Sequence, residues 1–168
     1  MSTIRPSTSL RVAALIVLGL AACSSEPLTG PPEIKLGRSE CAACGMIISE
    51  DRCSSALLVE HDGRREYRLF DDIGCMLDDE RESGDGRRSI ERYVHDHDTR
   101  GWIEASRAVY LFTEHDAIAT PMGSGIVAYA TSESAERSKA AHPGVVHDLD
   151  SLAAARRAWM EKHHGKPK

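Results

Sequence analysis

The sequence has few aromatic side chains and no excess of positive charge. Phe, Trp and Tyr make up 5% of its 168 residues, and 21 Lys and Arg stand against 26 Asp and Glu, which gives a formal net charge of −5. This balance argues against a dedicated nucleic-acid binder, which needs a basic surface and often an aromatic platform for base stacking. Because aromatic residues are few, the core must rest mainly on aliphatic side chains.

Sequence motifs of several enzyme classes are also missing. There is no Gly-x-x-x-x-Gly-Lys-Ser/Thr loop for phosphate binding, no Gly-x-Ser-x-Gly turn for a serine nucleophile and no His-Glu-x-x-His zinc motif. The pair Asp71-Asp72 fits a helix start, and the pair Asp78-Asp79 fits a helix surface, better than a general acid and base. The sequence therefore predicts a protein that is not an enzyme.

The apolar run near the N-terminus is too short for a transmembrane helix. Residues 12–20 form this run after Arg5 and Arg11, and at ~1.5 Å per residue it falls short of the ~30 Å hydrocarbon core of a bilayer. A charged start, a short apolar run and small residues are typical of a secretory signal peptide. The sequence LAAC at residues 20–23 resembles the bacterial lipobox, in which the cysteine is acylated and becomes the first mature residue.

We therefore expect four segments: a lipoprotein signal peptide at 1–22, a lipidated flexible tether at 23–38, a folded domain at 39–164 and a charged tail at 165–168. Lipidation of Cys23 predicts a protein that is anchored to the membrane and faces the periplasm. The serine after this cysteine favours the outer membrane. The alternative is an ordinary secretory signal, which predicts a soluble exported protein.

Export changes the interpretation of the other four cysteines. In an oxidising compartment, Cys41, Cys44, Cys53 and Cys75 favour two structural disulfides. However, Cys41 and Cys44 form a C-x-x-C pair, a spacing that also suits metal chelation or redox chemistry. A thioredoxin-like protein carries this pair at the start of a helix in a βαβ unit, whereas residues 38–40 predict a loop. A zinc site of all four cysteines lacks a matching second pair.

Methionines add soft sulfur donors next to this pair. Cys44-Gly45-Met46 places a thiolate and a thioether two residues apart, and soft sulfur ligands select Cu(I) over hard cations. Gly45 permits the tight bend that lets both side chains face one ion. Met122, between Pro121 and Gly123, is predicted on an exposed turn with little core to fill, whereas Met76 is predicted to be a core residue.

Turn signals and hydrophobic patterning predict an α+β fold. Segments 53–60 and 64–70 form a predicted β-hairpin, and a helix capped by Asp71 or Asp72 follows and ends near residues 83–86. Further strands are predicted at 90–94, 108–113, 126–130 and 144–147, with helices at 132–141 and 149–164. The strand at 108–113 is nearly all apolar and is therefore predicted to be central. Hairpin, helix and strand recur in each half.

The histidines and the charge runs carry weaker predictions. His95 and His97 have a spacing that can chelate Cu(II) or Zn(II), but we interpret them as solvated residues at a strand end. His61 or His115 completes a copper site only if the chain folds back on itself. The acidic run at residues 78–82 is interpreted as solvated charge.

Four short motifs follow one another along the predicted domain: CAACGM at 41–46, FDDIGCM at 70–76, WIEA at 102–105 and TPMGSGI at 120–126. In order and spacing they resemble the NosL family, accessory lipoproteins of nitrous oxide reductase. The resemblance implies two ββα-type, treble-clef-like subdomains with antiparallel hairpins and flanking helices. It also implies a Cu(I) metallochaperone that supplies the copper-sulfide centre of nitrous oxide reductase. The implied partners are an ABC-type transporter complex and apo nitrous oxide reductase as recipient.

Residue by residue, the resemblance assigns Cys44, Met46 and Met122 as metal ligands in a NosL-like metal-binding domain. It leaves Cys41 as a fourth ligand or a disulfide partner. Three ligands leave an open coordination position, through which an acceptor ligand can enter before the donor ligands leave.

Two other functions stay open at this point. A periplasmic thiol-disulfide oxidoreductase would use Cys41 and Cys44, and a structural lipoprotein would be held by two disulfides. Cys75 matches a Gly-Cys-Met motif of the family, but its helical setting predicts a small buried residue. Cys53 matches no family position that we recognise and leaves a Cys53–Cys75 disulfide open. Met122 distinguishes these two functions from metal binding, because only metal binding gives its thioether a role.

Overall fold

The computed structural model describes residues 27–84, 86–113 and 117–164, and within them the chain is α+β, as predicted. The first half contains β1 (Ser55–His61), β2 (Arg64–Phe70), α1 (Ile73–Glu82), β3 (Arg88–His95) and β4 (Trp102–Glu104). After a 3₁₀ turn at Ala105–Arg107, the second half contains β5 (Val109–Thr113), β6 (Ile126–Tyr129), α2 (Ser132–Ala141), β7 (Gly144–His147) and α3 (Leu149–His164). The predicted signal peptide, Cys23, His115 and the tail at 165–168 lie outside the described residues. None of the helices within the described ranges is long and apolar enough to cross a membrane.

The two halves share one topology. Within the described residues there are two antiparallel sheets, with strand orders β2-β1-β3-β4 and β6-β5-β7. In each sheet a hairpin is followed by a helix, and the chain then returns as a strand beside the first strand of the hairpin. The predicted recurrence of hairpin, helix and strand is therefore confirmed, and so is the α+β fold of two small sheets with flanking helices.

Local sequence explains where these elements begin and end. The β1–β2 turn uses Asp62 and Gly63, both at positive φ (49° and 73°), a combination that matches the twist of a tight hairpin. The Asp72 side chain caps α1 by accepting from the Gly74 N–H at 2.7 Å, and Asp148 Oδ1 accepts from the Ser151 N–H at 2.8 Å at the start of α3. The apolar strand β5 is central in its sheet, as predicted.

One hydrophobic core spans both halves. Leu57, Phe70 and Val94 of the first half pack in the same cluster as Tyr110 and Leu152 of the second, and all five are 1% exposed or less. The predicted core residue Met76 is fully buried in this cluster. A smaller cluster lies under α2 and comprises Cys53, Leu111, Val127, Tyr129 and Ala135. The halves are therefore joined by shared packing.

The interpretation of His95 and His97 as solvated residues is wrong. His95 is 6% exposed, its ring stacks on Trp102 with centroids 3.7 Å apart, and its Nδ1 lies 2.7 Å from Ser54 Oγ. His97 is half-buried, and its backbone N–H donates to the Ala128 carbonyl at 2.8 Å. Burial results because β4, a strand that the sequence did not predict, and β6 cover this end of β3.

The acidic run at 78–82 is also less solvated than expected. Asp78 accepts a hydrogen bond from Arg156 of α3 at 2.8 Å, and Asp79 accepts one from Arg68 of β2 at 2.9 Å. The interpretation as solvated charge is wrong for these two residues, because neighbouring elements bring arginines to the helix surface.

Part of the predicted tether lies against the first sheet. Thr29 Oγ1 and the Gly30 N–H donate to the Glu91 carboxylate at 3.0 and 2.8 Å, and the Tyr67 hydroxyl donates to the Gly30 carbonyl at 2.7 Å. Thr29 and Gly30 are therefore held by the folded domain, which extends to the N-terminal side of the predicted boundary at residue 39.

Candidate metal centre

The C-x-x-C pair lies in a tight loop before β1. The loop is closed by a bridge between Glu40 and Ile47 and by the Cys41 N–H, which donates to the Met46 carbonyl at 2.8 Å. The Gly45 N–H donates a hydrogen bond to the Cys41 carbonyl at 2.8 Å. Gly45 has a φ of 75°, a conformation that glycine adopts without strain. The expected bend at Gly45 is thus observed.

The loop is fixed to the end of the first hairpin. The Ala42 N–H donates to the Leu69 carbonyl at 2.7 Å, which holds the loop next to the last residues of β2. The chain then passes from Phe70, which is fully buried, through Asp71 and Asp72 into α1. Because Cys75 is in the first turn of this helix, the loop and the helix start face each other.

Four side chains converge at this point. The sulfur atoms of Cys41, Cys44 and Cys75 and a carboxylate oxygen of Asp71 all lie within 4.8 Å of one another. We call these four residues the thiol cluster. It is the one group of three or more such side chains that converges in this way within the described ranges. Its thiols are free, so neither a Cys41–Cys44 nor a Cys53–Cys75 disulfide is present in this structure.

Burial is graded across the cluster. Cys41 and Asp71 are each 2% exposed, Cys75 is partly buried and Cys44 is exposed. Cys44 Sγ contacts Asp71 Oδ2 at 3.8 Å, whereas the buried Asp71 Oδ1 has no hydrogen-bond partner among the described residues. A buried acceptor without a donor is costly, and a bound cation is one way to satisfy it. The cluster therefore brings together three sulfur atoms and a carboxylate that could hold a metal ion, with one thiol facing solvent.

The electrostatics of the cluster separate its thiols. A hydrogen bond from the Cys75 thiol lowers the pKa of Cys41, and the same contact, together with burial, raises the pKa of Cys75. Burial raises the pKa of Cys44, and it raises the pKa of Asp71 to about 6. Cys41 is therefore the first thiol to ionise, and a soft cation that binds here displaces the protons of the others.

The predicted methionines are both accessible. Met46 follows the C-x-x-C loop and is 49% exposed, and Met122 lies in the turn before β6 and is 44% exposed. The exposed turn predicted for Met122 is confirmed. Neither side chain fills the core, so both thioethers are accessible from solvent.

Two members of the thiol cluster have roles that the sequence did not predict. Cys75 was expected to act as a small packing residue, whereas its thiol lies beside that of Cys41. Asp71 was expected to mark a helix start, but Asp72 is the cap and Asp71 contributes to the cluster. The one sequence feature that could have indicated their place in the thiol cluster is that both residues lie in the FDDIGCM motif at 70–76.

Cys53 is separate from the thiol cluster. It is 1% exposed and belongs to the smaller hydrophobic cluster under α2. Burial raises its pKa to about 12, so at neutral pH this thiol is protonated and acts as a small apolar side chain.

The fold and the thiol cluster together define a small α+β protein with a sulfur-rich site at the meeting point of a loop and a helix start. The model of the NosL family matches residues 33–157 of this sequence. The chain therefore belongs to the NosL family. The predicted family and the prediction of a non-enzymatic protein are confirmed.

Other comparisons agree with this assignment. A crystal structure of the copper chaperone NosL from Shewanella denitrificans is similar with a TM-score of 0.61 and 21% sequence identity, over 77% of this chain and 99% of that one. At this identity the likeness shows the shared fold. No curated protein matches the sequence.

Proposed function

We propose that the protein is a lipid-anchored Cu(I) metallochaperone that delivers copper for the copper-sulfide centre of nitrous oxide reductase. The observation that carries the proposal is the convergence of Cys41, Cys44 and Cys75 next to an exposed loop that also bears Met46. Membership of the NosL family supports it, as does the similar fold of a copper chaperone. The lipobox at residues 20–23 supports the anchor and a periplasm-facing location, with the outer membrane favoured.

The donor set suits a soft monovalent cation that must be released. Thiolate and thioether sulfurs bind Cu(I) well, and hard cations prefer oxygen. Because Cys44 and both methionines are exposed, an acceptor ligand can bind the ion before the buried Cys41 releases it. An ABC-type transporter complex and apo nitrous oxide reductase are the partners we propose for this transfer.

The thiol-disulfide oxidoreductase is less well supported. Its C-x-x-C pair is expected at the start of a helix, but Cys41 and Cys44 lie in a loop that leads into β1. The third thiol of Cys75 has no role in a two-cysteine redox cycle.

An anaerobic Cu(I) titration tests the proposal. The reduced mature chain, carrying Cys23→Ser to avoid lipidation, is titrated against a competing chelator, with Cys44→Ser, Met46→Ala and Met122→Ala compared under the same conditions. We expect tight binding of one Cu(I), weakened at least about 10-fold by each change because each removes a sulfur donor. Met160→Ala on α3 is the matched control and should bind like the parent chain.

Weak binding, or binding that ignores both methionine changes, would contradict the copper site. The reduction potential of the Cys41–Cys44 pair would then become the decisive measurement, because the oxidoreductase needs a disulfide that exchanges readily. Delivery is tested separately by adding the loaded chain to apo nitrous oxide reductase and following loss of copper from the donor. The anchor is tested by the mass of the mature chain with and without Cys23→Ser.

A further inference from the structure

The turn that carries Met122 belongs to the second half but lies against the first. Residues 120–125 precede β6, and Ser124 is so close to the start of α1 that a Cβ placed on Gly74 would lie 2.6 Å from the Ser124 Cβ. No real side chain fits at that distance. A residue without a side chain at position 74 therefore allows the turn to pack on the helix.

One buried carboxylate joins the helix start to this turn. Asp72 is fully buried, and its Oδ1 accepts from the Gly74 N–H at 2.7 Å as the cap of α1. Its Oδ2 accepts from the Thr120 hydroxyl at 2.8 Å and from the Met122 N–H at 3.0 Å. Oδ1 thus accepts from one donor in the first half of the protein, and Oδ2 accepts from two donors in the second half.

The turn is shaped by its own hydrogen bonds and placed by Asp72. The Gly123 N–H donates to the Thr120 carbonyl at 2.9 Å, and the Gly125 N–H donates to the Thr120 hydroxyl at 3.2 Å. Gly123 and Gly125 have φ values of 66° and 68°, which glycine adopts without strain. The bond from the Met122 N–H to Asp72 is the contact that fixes the backbone of this residue to α1, while its side chain stays exposed.

We infer that Asp72 is a positioning residue that holds the Met122 thioether beside the thiol cluster. Asp71 precedes it directly and Cys75 follows three residues later, so the residue that places the turn lies between two members of the cluster along the chain. A thioether is a weak neutral ligand, and fixing its backbone before the ion arrives reduces the entropy lost on coordination. The inference rests on the proposed Cu(I) function.

The substitution Asp72→Asn separates the two jobs of this side chain. Asparagine caps helices as well as aspartate does, so α1 should be retained, but an amide offers one acceptor oxygen where the carboxylate offered two. We expect Cu(I) affinity to fall about 10- to 100-fold, the range measured when groups that orient metal ligands are removed. In a Met122→Ala background the same substitution should cause no further loss.

The sulfur coordination of the bound copper is a second measurement. X-ray absorption of the copper-loaded Asp72→Asn variant should show one sulfur neighbour of the copper fewer than the parent chain. Met122→Ala should show the same loss, because it removes the same thioether. A role in stability alone predicts the opposite pattern, with an unchanged copper environment and equal losses of affinity in both backgrounds. That pattern overturns the inference while leaving the copper site in place.

Gly74→Ala displaces the turn while the carboxylate is retained, with the new Cβ 3.1 Å from Asp72 Oδ1, and it serves if Asp72→Asn does not fold. Alanine is favoured over glycine in a helix, yet its Cβ would collide with Ser124. We expect the same affinity loss, again absent in a Met122→Ala background. Gly101→Ala is the matched control, because its Cβ would meet Thr99 Oγ1 at an ordinary 3.5 Å.

The outcomes distinguish the two proposals. If the parent chain fails to bind Cu(I), the proposed function fails and the inference fails with it. If Met122→Ala weakens binding but Asp72→Asn and Gly74→Ala add their losses to it, only the inference fails. If Met122→Ala has no effect, Met122 is not a ligand and the inference is overturned although the thiols still bind copper.

Discussion

Three strands in each half of the molecule have the same order around different hairpin connections, and the first half adds β4 at the edge of its sheet. In the first half, β1 and β2 are joined by a tight turn at residues 62–63, with Asp62 and Gly63 at positive φ. In the second half, β5 and β6 are joined by residues 114–125, and the described part of this connection reaches α1 of the first half. The shared topology therefore supplies a common frame, and the longer connection of the second half brings the exposed Met122 turn against the first half.

The helix starts differ in the same way. Thr131 caps α2 by accepting from the Ser134 N–H at 3.2 Å, and this helix start is exposed to solvent. Asp72 caps α1 inside the protein, where the C-x-x-C loop and the Met122 turn cover it. Equivalent positions in the two halves therefore carry a plain cap in one case and a candidate metal centre in the other.

The largest effect is expected where the halves share a core. Leu152 of α3 is fully buried in the cluster that also contains residues of the first sheet. We expect Leu152→Ala to lower the free energy of unfolding by about 2–5 kcal/mol, through lost transfer energy and a residual cavity. Urea unfolding followed by fluorescence is the measurement.

The two tryptophans show whether this loss is shared. Trp102 is on β4 and Trp159 on α3, so Trp159→Phe and Trp102→Phe give separate probes of the first and second halves. One cooperative unit predicts coincident transitions for both probes, displaced equally by Leu152→Ala. Two separate transitions, with only the α3 probe displaced, would show that the halves are independent.

A smaller and more local effect should distinguish the cysteines of the two clusters. Cys75→Ser removes a sulfur from the thiol cluster, and we expect it to weaken Cu(I) binding by more than about 100-fold, beyond the usual cost of losing an orienting group. Cys53→Ser places a hydroxyl in an apolar cluster, so it should lower stability and leave Cu(I) affinity unchanged. Competition with a chelator and urea unfolding measure the two quantities. Equal copper affinities for the two variants would remove Cys75 from the ligand set.

Local sequence was enough to predict most of the helices and strands and part of the site. The Asp62-Gly63 turn, the capping aspartate and the apolar strand β5 are fixed by neighbouring residues, and the structure shows each where it was predicted. The loop with Cys41 and Cys44 is equally local, because Gly45 bends the chain back within a few residues.

What the sequence could not supply depends on contacts between distant segments. Strand β4 has three residues and owes its pairing to β3, so its own pattern is too short to predict it. Cys75 joins the thiol cluster because of the way α1 meets the C-x-x-C loop, which spacing along the chain does not specify. The same holds for Asp72, whose second oxygen binds a turn about fifty residues away along the chain.

The smallest effect is expected at the junction of the halves, where His95 is buried and His97 is half-buried near β3, β4 and β6. Burial lowers the pKa of both imidazoles, so the proton binds more tightly to the unfolded chain. Their contribution to stability is therefore complete above the unfolded histidine pKa of about 6.5 and decreases as the pH falls below it. Urea unfolding at pH 7.5 and 5.5 measures this change.

Asp71 acts in the opposite direction in that window. Its pKa is raised to about 6, so protonation at low pH favours the folded state and partly masks the histidine effect. The difference between the parent chain and His95→Gln removes this background, because Asp71 is present in both, and His61→Gln at the exposed end of β1 is the control. We expect the parent to lose more stability between pH 7.5 and 5.5 than His95→Gln, and His61→Gln to follow the parent. An equal loss in all three proteins would mean that the contact between Ser54 and His95 survives protonation and that His95 does not contribute to the pH dependence.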